Sequence, residues 1–232
     1  MITLILVRHG ESRWNLCNRF TGWVDVPLSE QGIKEAQTCA KHCVHFDFSS
    51  AFTSDLERAH ETLLIILSLQ GKTAIVQHRE DSRYRRWVNA SNRCGTGDLP
   101  VFTSPFLNER FYGALQGMEK NEAERRFGKD KLFAWRRGFL DRPPRGETLK
   151  ETFGRALPYF TKYILPKVKR GEETIVAGHG NTLRAIIKYI EGIKDEDISF
   201  VDLPKGHPLV YTYKHGTFTR TAGAYGFKRP LR

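Results

Sequence analysis

No stretch of this chain is apolar for long enough to span a bilayer: the longest such runs are Ile2–Val7 and Leu63–Leu67, against the roughly 20 residues a membrane helix needs. No basic segment precedes the first of these runs, which argues against an export signal. Cysteine is scarce, with four residues at positions 17, 39, 43 and 94. None lies at C-x-x-C spacing, and a secreted disulfide scaffold would use more. A soluble cytoplasmic protein with reduced thiols is the expectation. No Pro/Gly/Ser-rich linker, low-complexity tract or internal repeat divides the 232 residues, so one domain spanning 1–232 is expected.

Charge of one sign is in excess. Lys and Arg number 37 against 26 Asp and Glu, a formal net charge of +11, and an anionic partner or substrate is therefore expected. Charge alone does not separate nucleic acid from small phosphates. Between about 79 and 105, Arg83, Arg85, Arg86 and Arg93 make a basic insertion that reads as a solvated loop. Polyanion binding by that loop is the less favoured alternative. The basic tail, about 222–232, is expected to be mobile.

Apolar patterning gives an α/β alternation. Thr3–Val7 and Thr174–Ala177 are continuous β-rich runs ending near Gly, as in strands buried on both faces of a parallel sheet. Helical stripes follow at Ile33, Ala36, Ala40 and Cys43; at Leu56, Ala59, Leu63 and Ile66; at Leu149, Phe153, Leu157, Phe160 and Ile164; and at Leu183, Ile186, Ile187 and Ile190. Ser54 with Glu57, and Thr148 with Glu151, have the spacing of capping boxes. Leu209–Tyr213 and Thr217–Thr221 read as further strands. The expected fold is a three-layer α/β sandwich with a mostly parallel central sheet flanked by helices.

Two of the buried strands end alike, in Arg8-His9-Gly10 and in Gly178-His179-Gly180. Ligands of open α/β sheets sit beyond the carboxyl ends of strands, so both imidazoles are expected at one crevice. The glycines suggest close backbone approach to a ligand, and a helix N-terminus after each turn would favour phosphate. A neutral imidazole can attack phosphorus without a separate base, while guanidinium groups such as Arg8 and Arg58 neutralise the phosphoryl oxygens. Cys39, His42, Cys43 and His45 share a helix face, but Cys39 and Cys43 continue an apolar stripe and no second ligand pair follows; no metal is expected.

The companion motifs narrow the reading. L-V-R-H-G-E-S-x-W-N runs from Leu6 to Asn15, N-R-F-T-G-W-x-D-V from Asn18 to Val26, and L-S-E-x-G from Leu28 to Gly32. T-S-x-L-x-R-A follows from Thr53, L-N-E-R-x-Y-G-A-L-Q-G from Leu107, W-R-R-G-F from Trp135 and H-G-N-T-L-R-A from His179. In this order the blocks resemble the cofactor-dependent phosphoglycerate mutases of the histidine phosphatase superfamily. The resemblance implies that His9 is phosphorylated in turnover, that Arg8, Arg58 and His179 surround the transferred group, and that Glu109 is the proton donor and acceptor. It further implies a pocket lined by Ser12, Asn15, Thr21, Gly22, Arg110, Tyr112, Lys120, Arg136, Arg137, Gly180 and Asn181. The implied reaction interconverts 3- and 2-phosphoglycerate, primed by 2,3-bisphosphoglycerate and needing no metal. The implied partners are small phosphorylated three-carbon acids, with neither membrane nor nucleic acid involved and a homo-oligomer left open.

The alternatives at the same site are a bisphosphoglycerate mutase or a phosphatase, and, from another class, an idle polyanion binder. One departure bears on them: Leu140–Gly146 is short where many relatives carry a longer polar segment near the site entrance, which bears on how well water is excluded.

Overall fold

The computed structural model describes residues 2–77, 98–224 and 226–227. Seven strands form one sheet: β1 (Ile2–Arg8), β2 (Ser50–Thr53), β3 (Thr73–Gln77), β4 (Asp98–Thr103), β5 (Thr174–Gly178), β7 (Leu209–Lys214) and β8 (Thr217–Ala222), in the order β3-β4-β2-β5-β1-β7-β8. The first five neighbours in that order run parallel, and β7 and β8 close one edge as an antiparallel hairpin. β6 (Val201–Asp202) and β9 (Gly226–Phe227) pair separately.

Strand alternation sorts the core onto two faces. Leu4, Leu6, Phe52 and Val176 pack with Tyr159, Phe160, Leu183, Ile186 and Ile187. Those residues come from α6 (Leu149–Tyr159), the π turn that continues it (Phe160–Ile164), and α8 (Gly180–Glu191). On the other face Ile5, Val7, Ala51, Ile175 and Ala177 meet Cys39, Ala40 and Cys43 of α2 (Glu30–Cys43) and Leu63, Ile66 and Leu67 of α3 (Glu57–Ser68). The expected three-layer sandwich is observed. Cys39 and Cys43 are filled into the core as small apolar groups.

Remaining short helices cap the carboxyl ends of the strands. They are α1 (Arg13–Leu16), α4 (Lys120–Phe127) and α5 (Lys129–Arg137), with α7 (Leu165–Lys169) extending the α6 segment. Phe20, Leu115, Ala123, Leu132 and Trp135 form this cap's own core.

Two expectations change and one local expectation holds. The stretch 79–105 is not all loop: its last part is β4, inserted between β3 and β2, and its earlier part, like the tail beyond Phe227, lies outside the described residues. The Thr148–Glu151 capping box forms, with Thr148 accepting from the Glu151 N–H and Glu151 from the Thr148 N–H. The Ser54–Glu57 box does not form. The helix is entered at Leu56, the Glu57 N–H donates to Asp25 at 2.8 Å, and the Ser54 hydroxyl is engaged elsewhere.

Candidate active site

β1 and β5 are adjacent and in register, Arg8 opposite Gly178, so the residues that follow emerge side by side. The His9 N–H continues the ladder to the Gly178 carbonyl at 2.9 Å. The two rings lie with centroids 5.0 Å apart, both buried. The convergence expected from the sequence is observed.

His9 Nδ1 is 2.6 Å from the Gly10 carbonyl. A carbonyl only accepts, so Nδ1 carries the proton and Nε2 of the neutral ring keeps its lone pair. Burial first, then the guanidiniums of Arg58 and Arg8, hold the His9 pKa well below the usual imidazole value. Burial, Arg58 and His9 do the same to His179. Both rings are therefore neutral at pH 7. His179 Nε2 lies 2.7 Å from the Ser54 hydroxyl, and its Nδ1 is buried without a partner among the described residues.

Two arginines reach the pair from different elements. Arg58, on the first turn of α3, is almost wholly buried and donates to the carbonyls of Gly22 (2.7 Å) and Val24 (3.1 Å). Burial lowers its pKa to about 10, with Glu109 and Asp25 opposing, which leaves it charged at neutral pH. Arg8 donates from Nη1 to the Leu203 carbonyl at 2.8 Å, while its Nε has no partner among the described residues. Glu109 enters beside them. Its Oε1 accepts the backbone N–H groups of Arg110 (2.8 Å) and Asn181 (3.1 Å), the latter in the first turn of α8, a favourable place for a carboxylate.

One cavity gathers these groups apart from His179, which is fully buried and is not among the lining residues. The cavity is lined by Arg8, His9, Asn15, Thr21, Gly22, Arg58, Glu109, Tyr112, Lys120, Arg136, Arg137, Gly180 and Asn181, all expected from the family resemblance, and also by Arg19, Phe20, Arg184, Asp202 and Leu203. Arg19, Phe20 and Arg184 lie inside the quoted blocks and could have been named; Asp202 and Leu203 carry no motif signal. Arg184 donates to Asn181 Oδ1 (3.1 Å) and to the Arg137 carbonyl (2.5 Å). Asp202 accepts from Arg137 at 3.2 Å. Tyr112 accepts from the Asn181 amide at 3.1 Å. Lys120 has its pKa lowered to about 8 by burial and then by Arg136, Lys205 and Arg8.

Other expected site residues are placed differently. The Arg110 guanidinium is fully buried and donates to the carbonyls of Trp135 and Gly138, away from the cavity lining. Its role is to tie the end of α5 to the Glu109 segment. Ser12 caps α1, exchanging hydrogen bonds with Asn15. Gly10 serves a backbone approach within the protein: a Cβ there would fall 2.3 Å from the Gly32 carbonyl oxygen, and one on Gly32 would fall 2.0 Å from that of Glu11. This contact docks the L-S-E-x-G segment under the first histidine. A helix of useful length follows only the second histidine, with His179 at the N-cap of α8. The short turn 140–146 packs through Pro144, whose carbonyl accepts the Ala114 N–H at 2.9 Å, and contributes no cavity-lining residue.

Fold and site together define an α/β protein that sets a neutral imidazole beside buried guanidinium groups at the carboxyl ends of its parallel strands. A profile of the histidine phosphatase superfamily (branch 1) matches residues 4–87 and 82–222. The 2,3-bisphosphoglycerate-dependent phosphoglycerate mutase of Methanosarcina acetivorans is 42% identical over 236 residues, covering 95% of each chain. That of Protochlamydia amoebophila is 38% identical over 223 residues, covering 95% of this chain and 99% of its own. Among solved structures, Bacillus stearothermophilus YhfR aligns with a TM-score of 0.72 at 23% identity over 95% of both chains. A mycobacterial glucosyl-3-phosphoglycerate phosphatase solved with VO3 gives 0.75 at 18% identity, over 95% and 98%. The chain belongs to the histidine phosphatase superfamily, in branch 1.

Proposed function

We propose that this protein is a 2,3-bisphosphoglycerate-dependent phosphoglycerate mutase, interconverting 3- and 2-phosphoglycerate through a phosphohistidine at His9. The observation that carries the reading is the hydrogen bond from His9 Nδ1 to the Gly10 carbonyl, which leaves Nε2 as a nucleophile beside buried cations. The relatives named above, at about 40% identity over most of the chain, support the same activity.

The cavity suits a molecule with two anionic ends. Two buried nitrogens, Arg8 Nε and His179 Nδ1, lack partners among the described residues and match the acceptor-only oxygens of a phosphoryl group. Arg136, Lys120 and Arg19 in the same lining supply further positive charge for a carboxylate or second phosphate. 2,3-Bisphosphoglycerate, when bound, supplies the phosphoryl group that primes the enzyme.

In the transfer step His9 Nε2 forms the new N–P bond as the P–O bond to the leaving alkoxide breaks, and Glu109 gives that oxygen its proton. In the return step Glu109 takes the proton of the acceptor hydroxyl, which attacks phosphorus as the N–P bond breaks and the His9 lone pair is restored. Arg8, Arg58 and His179 hold the equatorial oxygens throughout, a pre-set electrostatic environment of the kind that dominates phosphoryl transfer. Mutase action also requires an acceptor alcohol to be oriented ahead of water, the role assigned to Asn15, Thr21, Gly22, Tyr112, Asn181 and Arg137. No helix among the described residues is long and apolar enough to cross a membrane, and we infer a cytoplasmic location alongside the phosphorylated acids.

A coupled assay tests the reading. Formation of 2-phosphoglycerate should require catalytic 2,3-bisphosphoglycerate and survive a chelator. Product that is independent of the bisphosphate, or abolished by chelation, would contradict it, and release of inorganic phosphate as the main outcome would favour the phosphatase alternative.

A further inference from the structure

We propose that Ser54 is a positioning residue for the phosphoryl site: its hydroxyl donates to His179 Nε2 and so fixes the ring proton on Nδ1, where it is offered to the phosphoryl oxygens. The assignment rests on the function proposed above for its catalytic part, and on hydrogen-bond accounting for its structural part.

Ser54 sits where a helix cap is expected, yet caps nothing by side chain. Its backbone is pinned instead, since His60 Nε2 donates to the Ser54 carbonyl at 2.5 Å. The hydroxyl is fully buried, 2.7 Å from His179 Nε2, and accepts the Leu56 N–H at 3.1 Å. A hydroxyl has one proton and two lone pairs, and a neutral imidazole has one N–H and one acceptor nitrogen.

Two arrangements satisfy those distances. If Nε2 carries the proton and donates to Ser54, the Ser54 O–H has no acceptor among the described residues and Nδ1 is a second unpaired buried atom. If Ser54 donates to Nε2, the hydroxyl is satisfied in both senses and the only unpaired group is Nδ1–H. Each buried polar group left unpaired costs about 1–3 kcal/mol, so the second arrangement is preferred. It is also the one that is useful. Phosphoryl oxygens only accept, and Nδ1–H is an uncommitted donor on a ring whose centroid lies 5.0 Å from that of His9.

Without the hydroxyl, nothing biases the ring, and the fraction of molecules with Nδ1–H falls. Removing an oxyanion donor outright costs about 10²–10³-fold in kcat. Partial loss of the productive tautomer in Ser54→Ala should cost less, on the order of 10–100-fold, with KM changed less than about threefold because the guanidiniums still bind. Ser54→Thr keeps the O–H and should restore most of the rate.

The deciding measurement is the 15N spectrum of the His179 ring in wild type, Ser54→Ala and Ser54→Thr, each checked for native circular dichroism. The expected result is a proton on Nδ1 in wild type and Ser54→Thr, and a mixed or Nε2-bound proton in Ser54→Ala. A wild-type ring protonated on Nε2 overturns the proposal whatever the activity, as does a Ser54→Ala enzyme with unchanged tautomer and kcat. A wild-type protein without mutase activity, whose Nδ1–H resonance still shifts on adding inorganic phosphate, would count against the mutase reading alone and leave Ser54 in its assigned place.

Discussion

Replacing Arg58 with methionine should separate catalysis from stability. The guanidinium has five N–H donors, of which two are committed to the Gly22 and Val24 carbonyls, leaving three for a ligand. Burying the cation is costly: the drop of its pKa from the ordinary guanidinium range to about 10 corresponds to roughly 3 kcal/mol that Arg58→Met relieves. Against this, two carbonyls lose their donor at about 1–3 kcal/mol each. The opposing terms leave a net change in folding free energy between about 1 kcal/mol of gain and about 3 kcal/mol of loss. Nothing offsets the loss at the site. Two charge-assisted bonds to a phosphoryl group are worth about 3–6 kcal/mol, so kcat/KM should fall by about 10²–10⁴-fold. Urea denaturation and the coupled mutase assay on the same preparation measure both quantities. Catalysis within tenfold of wild type, or a stability loss above about 4 kcal/mol, would refute the reasoning.

Three further outcomes follow from the site and its frame. Binding of inorganic phosphate or substrate should weaken as pH rises through about 8, because Lys120 deprotonates there, and Lys120→Arg should abolish that limb of the KM profile. His9 and His179 both have folded-state pKa values well below the ordinary imidazole value of about 6.5, so the unfolded chain binds more protons below that pH. Stability of the free protein should fall on acidification below about 6.5, by up to about 1.4 kcal/mol per pH unit for each ring, with His9→Asn flattening the slope; a free-enzyme Tm flat from pH 7 to 5 would contradict it. Gly32→Ala should destabilise by about 1–3 kcal/mol or more, since its Cβ would fall 2.0 Å from the Glu11 carbonyl oxygen, whereas Thr148→Ala should cost only about 1 kcal/mol for the lost cap.

The elements legible in the sequence were those whose periodicity is set by burial. β1 and β5 are apolar on both faces, and α2, α3, α6 and α8 show one apolar stripe each. β2 and β4 left no such trace. Ser50–Thr53 has small residues and only four positions, and Asp98–Thr103 carries Pro100, which argues against a strand interior although β4 is flanked on both sides. Ser54 shows how tertiary contacts override local chemistry: the serine matched a cap pattern, but Asp25 supplied the Glu57 acceptor and His179 drew the hydroxyl. Motif position located the cavity through His9, Arg58, Glu109 and Asn181, yet it does not say which way a side chain turns. Arg110 followed Glu109 in the same block and turned into the protein, while Asp202 and Leu203 reached the cavity through packing alone.

The central claim is that phosphorus bonds to Nε2 of His9. Brief incubation with 2,3-bisphosphoglycerate, quenching in base and peptide mass spectrometry should place one acid-labile phosphate on His9, discharged by 3-phosphoglycerate and absent from His9→Ala. A phosphate on His179 or on any hydroxyl side chain, or a fully active enzyme that never carries one, would contradict it.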